Sequence, residues 1–391
     1  MELQKNSMKN IAVIFFGPFP IGNASTLRVY SYCKSIAQSG HKVKVFILAP
    51  TTEAAINTVH SGNYQGVDFQ NITSITWSDK PSVFKKLWYY VYGIFRTLTL
   101  INRGEYNSII TYHNTLFFAF IFRIYSIIKG IPFVIDKTEY PYYYHNSGKL
   151  GRLIREINLK LFSGIITITR ELESFYSKFN RTFLLPMTID PDRYASAEKS
   201  FVDEEYIAVV IGSHNRDGVL DSIKVYNEYI KLVTNQNKIR KLYLIGDLTS
   251  KPDYDIISQY IKDNNLCFYI KMLGRVKGDE VPNLLVNAKC LLTTPSSFPS
   301  GGFPTKLGEY LLSGVPVITT IVGEVENYLK NEQDFLGDFP GEYISLAKKI
   351  FLVQEDQQLA MRLGENGKSA AMKNFNADNY VDELLNFIYE K

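Results

Sequence analysis

The chain has 391 residues, 46% of them apolar and 21% charged, a globular composition too long for one ordinary core, so two domains are expected. The net charge of +4 is divided unevenly: residues 1–197 hold 22 Lys and Arg against 12 Asp and Glu, and residues 198–391 hold 21 against 27. A basic first half suits an anionic acceptor or an anionic membrane surface, or is simply a solvated face, and the modest total disfavours a nucleic-acid partner.

Short runs rich in Val, Ile and Phe alternate with amphipathic stretches of helical length, the pattern of repeated βα units and parallel sheets. In the first half, strands are predicted at 11–17, 42–48, 108–112, 133–137, 164–169 and 182–187, with helices at 24–39, 115–129 and 170–179. In the second half, strands are predicted at 206–212, 241–247, 267–274, 288–294 and 316–320, with helices at 218–235, 254–264, 278–287 and 304–313. From about 342 onward the chain reads as three helices, the last over 376–389. The fold class is therefore α/β, with two tandem Rossmann-like, doubly wound domains. The boundary is expected near 188–204, where Asp190-Pro191-Asp192 and a polar run interrupt the pattern, giving domains 1–197 and 198–375 and a final helix 376–391.

Residues 1–10 are polar and the first apolar run, 11–16, is short, so no secretory signal is expected. The most apolar region, 116–135, is interrupted by Arg123 and Lys129 and does not read as a membrane span. Cys33, Cys267 and Cys290 are far apart and read as free thiols of a reducing compartment, so a cytoplasmic location is expected. The segment Lys85 to Arg96 is basic, aromatic and apolar. It is either an interfacial helix that makes a peripheral contact with an anionic membrane or an ordinary helix with one buried face.

Ligands of doubly wound sheets bind beyond the carboxyl ends of the strands, and the chemistry-bearing residues fall there. After the first strand comes Gly17-Pro-Phe-Pro-Ile-Gly22-Asn23-Ala24, a loop that brings amides to a phosphate or sugar, or a plain tight turn; it is not GxGxxG, which disfavours a nicotinamide dehydrogenase. Arg28, one turn into the helix, faces either the ligand side or solvent. His113 with Asn114 ends strand 108–112, where a histidine is either structural or placed to hydrogen-bond a sugar hydroxyl or share a proton near the reacting centre, whereas His41 reads as structural and His60, His145 and His214 have weaker cases. Asp136, Tyr140 and Tyr142 follow strand 133–137 as an acceptor-sugar platform or a packed Tyr-rich loop. Gly212 to Gly218, with Arg216, suits a diphosphate through amides, helix dipole and guanidinium. Gly246 with Asp247, and Gly274 with Arg275 and Val276, end the next strands, and the latter stretch could clamp a base through its main chain.

The most specific segment is Pro295-Ser-Ser-Phe-Pro-Ser-Gly301-Gly302-Phe303-Pro304-Thr305-Lys306-Leu-Gly-Glu309. A Gly-rich loop opens a helix whose amides can hold phosphate, and Glu309 could accept both hydroxyls of a ribose. This segment resembles the GT-B glycosyltransferases and, among them, the large retaining group called family four. Those enzymes carry Glu, seven residues, then a second Glu, with Gly-Phe-Pro after the first. Gly302-Phe303-Pro304 and Glu309 match, and Gly301 occupies the position of the first Glu. Gly17 to Ala24 with Arg28, Gly40-His41, His113 at the active-site His, and 185–194 match in order, and in the diphosphate loop Arg216 is the remaining cation.

The resemblance implies two Rossmann-like domains facing across a cleft (GT-B), with the final helix crossing back to the first. It implies transfer of a sugar from a nucleotide-sugar donor, UDP- or GDP-linked, to a saccharide or polyprenyl-linked acceptor, with retention, in surface polysaccharide or glycan assembly. His113, Arg216 and Lys306 are the expected catalytic groups. Gly22, Gly212, Gly246, Arg275, Val276, Gly302, Phe303, Pro304, Thr305 and Glu309 join Arg216 and Lys306 on the donor, while Asn23, Asp136, Tyr140 and Tyr142 meet the acceptor. No cofactor is expected, and no metal, since the cations can stabilise the leaving diphosphate and no DxD motif stands at a strand end. Two rival readings share these features: a nucleotide-sugar epimerase, and a non-catalytic nucleotide-sugar-binding partner of a transferase.

Overall fold

The computed structural model describes residues 8–74, 82–143, 148–200, 204–212 and 215–390. The chain divides into two compact units. The first takes in the chain up to Thr188, the short piece Ser300–Gly302 and the stretch from Ala377; the second takes in Ile189–Pro299 and Phe303–Asn376.

In chain order the first unit holds β1 (Asn10–Phe15), α1 (Ala24–Gln38), β2 (Lys42–Ile47), β3 (Ser61–Tyr64), β4 (Val67–Asn71), α2 (Val83–Arg103), β5 (Ser108–Thr111), α3 (Leu116–Lys129), β6 (Phe133–Lys137), α4 (Lys149–Leu159), β7 (Gly164–Thr167), α5 (Arg170–Tyr176) and β8 (Thr182–Leu184). The second unit holds β9 (Tyr206–Val210), α6 (Val219–Leu232), β10 (Lys241–Ile245), α7 (Tyr254–Asp263), β11 (Ile270–Gly274), α8 (Val281–Val286), β12 (Cys290–Thr293), α9 (Thr305–Leu312), β13 (Val317–Thr320), α10 (Val325–Tyr328), β14 (Leu336–Asp338), α11 (Tyr343–Glu355) and α12 (Gln357–Phe375). The last helix, α13 (Val381–Tyr389), belongs to the first unit.

The first sheet has the order β3-β4-β2-β1-β5-β6-β7-β8 and is parallel except for the hairpin β3–β4. The second has the order β11-β10-β9-β12-β13-β14 and is parallel throughout. Helices cover both faces of such sheets, so central strands must be apolar on both sides. Ile11 to Phe15 of β1 are accordingly all fully buried. In each sheet the winding reverses once, between β1 and β5 and between β9 and β12. Those reversals open the crevices in which doubly wound sheets bind ligands.

The core of the first unit joins β1 and α1 to α13, whose Leu384, Leu385 and Ile388 pack against the same cluster as Ile11, Val29 and Ile36. The Tyr389 hydroxyl lies 2.7 Å from Ser108 Oγ and donates to Asn107 Oδ1 at 2.7 Å, which ties the final helix to β5. The core of the second unit packs Ile223 and Tyr226 of α6 and Leu346, Ile350 and Val353 of α11 against β9, β10 and β12.

The observed strands stop short of several predicted ends, because apolar residues continue into buried loops: Ile168, Leu185 and Met187 are buried beyond β7 and β8, with the Leu185 N–H still donating to the Thr167 carbonyl at 2.9 Å. Predicted strand 267–274 is a short 3-10 turn, Leu266–Phe268, followed by β11. The hairpin β3–β4, helix α4 and strand β14 were not anticipated. The hairpin turns at Gln65-Gly66, both at positive φ, with little apolar alternation to signal it.

One buried ion pair pins the interior of the first unit. Arg28 Nε and Nη2 donate to Asp136 Oδ2 and Oδ1 at 2.8 and 3.0 Å, and the guanidinium also donates to the Pro186 and Leu185 carbonyls at 2.8 and 3.0 Å. Burial opposes the Arg28 charge, but Asp136 more than offsets it, and the guanidinium is held above its ordinary value. Removing one partner strands the other charge. Arg28→Ala is expected to cost about 3–5 kcal/mol in urea unfolding, and Arg28→Met combined with Asp136→Leu should recover most of that loss.

Candidate functional site

The second unit organises a cation at the reversal between β9 and β12. Lys306, on the first turn of α9, places its ammonium 2.5 Å from Asp217 Oδ1 and donates to the Val210 carbonyl at 3.0 Å. Asp217 Oδ2 accepts from the Gly212 N–H at 2.6 Å and from Lys251 Nζ at 3.4 Å. Burial lowers the Lys306 ammonium to about 8 despite Asp217, and Lys251 pushes the same way. Below that pH the group is charged. Gly218 follows at φ +64 as the cap of α6, and a Cβ there would lie 1.7 Å from the Thr294 carbonyl. Only glycine lets the β9 loop press this closely on the end of β12. Thr294 Oγ1 closes the contact by donating to the Gly218 carbonyl at 2.7 Å.

One helical turn after Lys306, Glu309 is about a quarter exposed and paired with Arg193. Arg193 Nη2 also donates to the Gly278 carbonyl at 3.3 Å, and the Tyr194 hydroxyl donates to the Glu309 carbonyl at 2.8 Å. Neither Arg193 nor Tyr194 was singled out from the sequence, nor was Asp217. Their only signal was position: Asp217 ends a post-strand loop, and Arg193 closes the Asp-Pro-Asp turn. Arg216 sits on the 3-10 turn Asn215–Asp217, half-buried. Gly246 donates its N–H to the Gly274 carbonyl at 2.9 Å, and Arg275 and Val276 follow, exposed and half-buried. Pro304 caps α9 and Thr305 begins it. Phe303 is buried against the rings of Tyr328 and Phe375 at 5.8 and 5.6 Å. Its side chain is packing, and only its main chain is left for a donor.

In the first unit, His113 follows β5 with its ring stacked on Phe16 at 4.9 Å and edge-on to Phe118 at 5.2 Å. The Tyr90 hydroxyl lies 2.6 Å from His113 Nε2 and 2.7 Å from Thr115 Oγ1. Burial, assisted by the nearby Lys137 charge, lowers His113 to about 4, so the imidazole is neutral at pH 7. Burial likewise lowers Lys137 to about 8, with Arg155 adding to the effect. Gly22 lies in the loop before α1, hemmed by Pro18 and Thr26. Asn23 caps α1, its Oδ1 accepting from Ser25 N and Thr26 N.

Asp136 and Arg28 require a correction. Asp136 was expected on an acceptor, and Arg28 toward ligand or solvent. The structure seals both inside the first unit, with both carboxylate oxygens taken by Arg28. Tyr140 donates to Glu171 Oε1 at 2.6 Å and Tyr142 to Glu156 Oε1 at 2.8 Å, their rings sharing Phe175. Tyr144, His145, Ser213 and His214 lie outside the described residues.

Gly301, where the resemblance has a carboxylate, sits at φ +77, and a Cβ there would meet Leu172 Cδ2 at 2.6 Å and Tyr140 Cε2 at 2.9 Å. Its carbonyl accepts from Thr169 Oγ1 at 2.7 Å, and the preceding Ser300 carbonyl accepts from Tyr140 N at 2.8 Å. A side chain here would have to adopt a positive φ and displace the Leu172 and Tyr140 side chains, so glycine suits the packing of Ser300–Gly302. Gly302 travels with the same segment.

The family model for glycosyl transferases group 1 matches residues 195–370, which hold Asp217, Lys306 and Glu309. This stretch is a glycosyltransferase group 1 domain. The whole chain carries the GT-B fold. It is similar to sucrose-phosphate synthase from Thermosynechococcus elongatus, at 14% identity over 96% of this chain and 98% of that one, TM-score 0.70. It is similar to a glycosyltransferase from Rickettsia africae ESF-5, at 13% identity over 98% and 100%, TM-score 0.71. It is also similar to Anabaena HepE in complex with UDP-glucose, at 17% identity over 96% and 99%, TM-score 0.69. At such identities the likeness is one of fold. No curated protein matches the sequence. Among the described residues, no helix is long and apolar enough to cross a membrane.

Two outcomes are expected. The His113 value lies below that of an unfolded His, so the unfolded state binds the extra proton between about pH 6.5 and pH 4. Stability should fall as pH drops through that window, by up to about 3 kcal/mol, and His113→Phe should remove most of that dependence in urea unfolding. Gly301→Glu should lower the melting temperature and not raise activity, because a positive φ costs a non-glycine residue about 1–2 kcal/mol before any clash is counted. A stable, more active Gly301→Glu enzyme would contradict the packing described.

Proposed function

We propose that the chain transfers a hexose from a UDP- or GDP-sugar to a saccharide or polyprenyl-linked saccharide acceptor, with retention of anomeric configuration, in surface polysaccharide or glycan assembly. The observation that carries this reading is the pairing of Lys306 with Asp217 at a strand-end crevice, one helical turn from the carboxylate of Glu309. An ammonium and a carboxylate spaced by one turn lie on the same helix face. They match the two polar parts of a nucleotide sugar: the diphosphate for Lys306 and the ribose hydroxyls for Glu309. Anabaena HepE, of the same fold, has been crystallised with UDP-glucose.

In this reading the bond from the sugar C1 to the diphosphate breaks, and the electron pair leaves with the nucleoside diphosphate. A bond forms from C1 to the acceptor oxygen, and the proton of the acceptor hydroxyl passes to the oxygen of the departing phosphate. Lys306, Arg216 and the loop amides stabilise the departing charge without a divalent metal. Neutral His113 hydrogen-bonds a sugar hydroxyl, and Tyr140 and Tyr142 lend rings to a saccharide. A polyprenyl-linked acceptor lies in a membrane, so that choice brings with it a peripheral contact with an anionic bilayer.

Gly301 favours one alternative, a nucleotide-sugar-binding partner that performs no transfer. Activity separates the two. The purified chain should show transfer in the presence of a metal chelator, and melting-temperature shifts across UDP-, GDP-, ADP- and CMP-sugars should select one nucleotide. Glu309→Ala should weaken donor binding about 10- to 100-fold, and Arg216→Ala should lower kcat about 100-fold. Donor binding with no transfer to any saccharide or lipid-linked acceptor would favour the non-catalytic partner. Full activity in both variants would sink the site assignment.

A further inference from the structure

The outer faces of α2, α3 and α4 concentrate the exposed apolar surface of the molecule. Of the 27 exposed large apolar side chains among the described residues, 16 lie on these three helices. They fall in stripes at helical spacing. On α2, Gly93, Ile94, Thr97 and Ile101 are buried, while Phe84, Trp88, Tyr92 and Phe95 run along the opposite side and are 87, 69, 46 and 51% exposed. The α3 stripe ends in Ile128 at 75%, and the α4 stripe begins with Leu150 at 71%. Monomers rarely leave so much contiguous apolar surface in water without a partner.

Charge identifies the partner. The three helices carry nine Lys and Arg and one acidic residue, Glu156, which accepts from the Tyr142 hydroxyl. Neither α2 nor α3 holds an Asp or Glu. A second copy placed on this face would set like charges against each other, whereas an anionic bilayer supplies the complement. Trp and Tyr among lysines are the side chains that settle at the boundary between headgroups and acyl chains, with long cationic stems reaching the phosphates.

We propose that the α2–α3–α4 face of the first unit docks in the plane of an anionic membrane. The helices also flank His113. Tyr90 of α2 reaches its Nε2, and Asn158 of α4 donates to Asn114 Oδ1 at 2.6 Å. Docking therefore brings the strand end of β5 to the lipid surface, where a membrane-embedded acceptor would present its sugar. The docking stands apart from the transfer reaction; the lipid-linked acceptor rests on the reading given under Proposed function.

Flotation of the full chain with vesicles tests the docking. It should bind an equal mixture of phosphatidylglycerol and phosphatidylcholine at low salt, bind phosphatidylcholine alone much less, and detach as salt is raised. Each lysine lost should weaken partitioning about fivefold, so Lys85→Glu with Lys86→Glu should reduce it by at least about 10-fold. Phe84→Ser with Trp88→Ser should reduce it without altering net charge. Both variants should keep the melting-temperature shift produced by the nucleotide, which is read in the second unit. Absence of binding to the anionic vesicles, or binding that neither variant weakens, overturns the proposal. So does a dimer in light scattering that Phe84→Ser with Trp88→Ser dissolves while vesicles are ignored, since a second copy would then cover the face. Vesicle binding that persists where no nucleotide sugar binds would instead count against the transfer reading and leave the docking standing.

Discussion

The ammonium of Lys306 lies at the carboxyl ends of the second sheet, between the Asp217 carboxylate and the Val210 carbonyl. A cation this enclosed needs a fixed counter-charge, and the surrounding chain is shaped to supply one. Asp217 is held by the Gly212 N–H and by Lys251, the turn that bears it is completed by Gly218, and Gly218 exists as glycine because Thr294 leaves no room for a side chain. The Tyr310 hydroxyl accepts from the Val210 N–H at 2.6 Å and so fixes α9 to the end of β9. Lys306 and Glu309 inherit their positions from these contacts. A phosphate arriving here would meet a cation already oriented, which is the condition for electrostatic stabilisation without reorganisation.

The first unit solves a different problem. Its interior is locked by Arg28 and Asp136, and its strand-end histidine is kept neutral by aromatic burial. That arrangement suits hydrogen bonding to neutral sugar hydroxyls better than neutralising a phosphate. The departure at Gly301 fits the local packing. The segment Ser300–Gly302 is held by contacts with Tyr140, Thr169 and Leu172, and a side chain at 301 would have to take a positive φ and displace the Leu172 and Tyr140 side chains. In the proposed reaction the leaving-group charge is then assigned to Lys306 and Arg216.

Much of this was legible from the sequence. The alternation of apolar runs and amphipathic stretches is a local signal, and it marked the parallel sheets, their order of elements and the crevice ends where Gly212, Lys306, Glu309 and His113 stand. Pairings between distant residues left no such mark. Asp136 was read as an acceptor contact because a carboxylate after a strand looks the same whether it meets a ligand or a buried arginine; its partner lies 108 residues earlier. Arg193 was passed over for the same reason, being 116 residues from Glu309. Phe303 fits a family motif that does not say which way its ring points. Helix α4 was passed over although Leu150, Leu153, Ile154 and Ile157 recur at helical spacing; what the sequence does not tell is that this stripe faces outward.

The central claim is that Lys306 is the anchor for the diphosphate of a nucleotide sugar. It is tested most directly by calorimetric titration of a nucleoside diphosphate, its monophosphate and its free nucleoside into the wild-type protein and Lys306→Met, using the base selected by the thermal panel. The account predicts that wild-type affinity falls steeply from diphosphate to nucleoside, and that Lys306→Met flattens the series while binding the free nucleoside as before. Equal wild-type affinity for all three, or a uniform loss across the series in the variant, would contradict it.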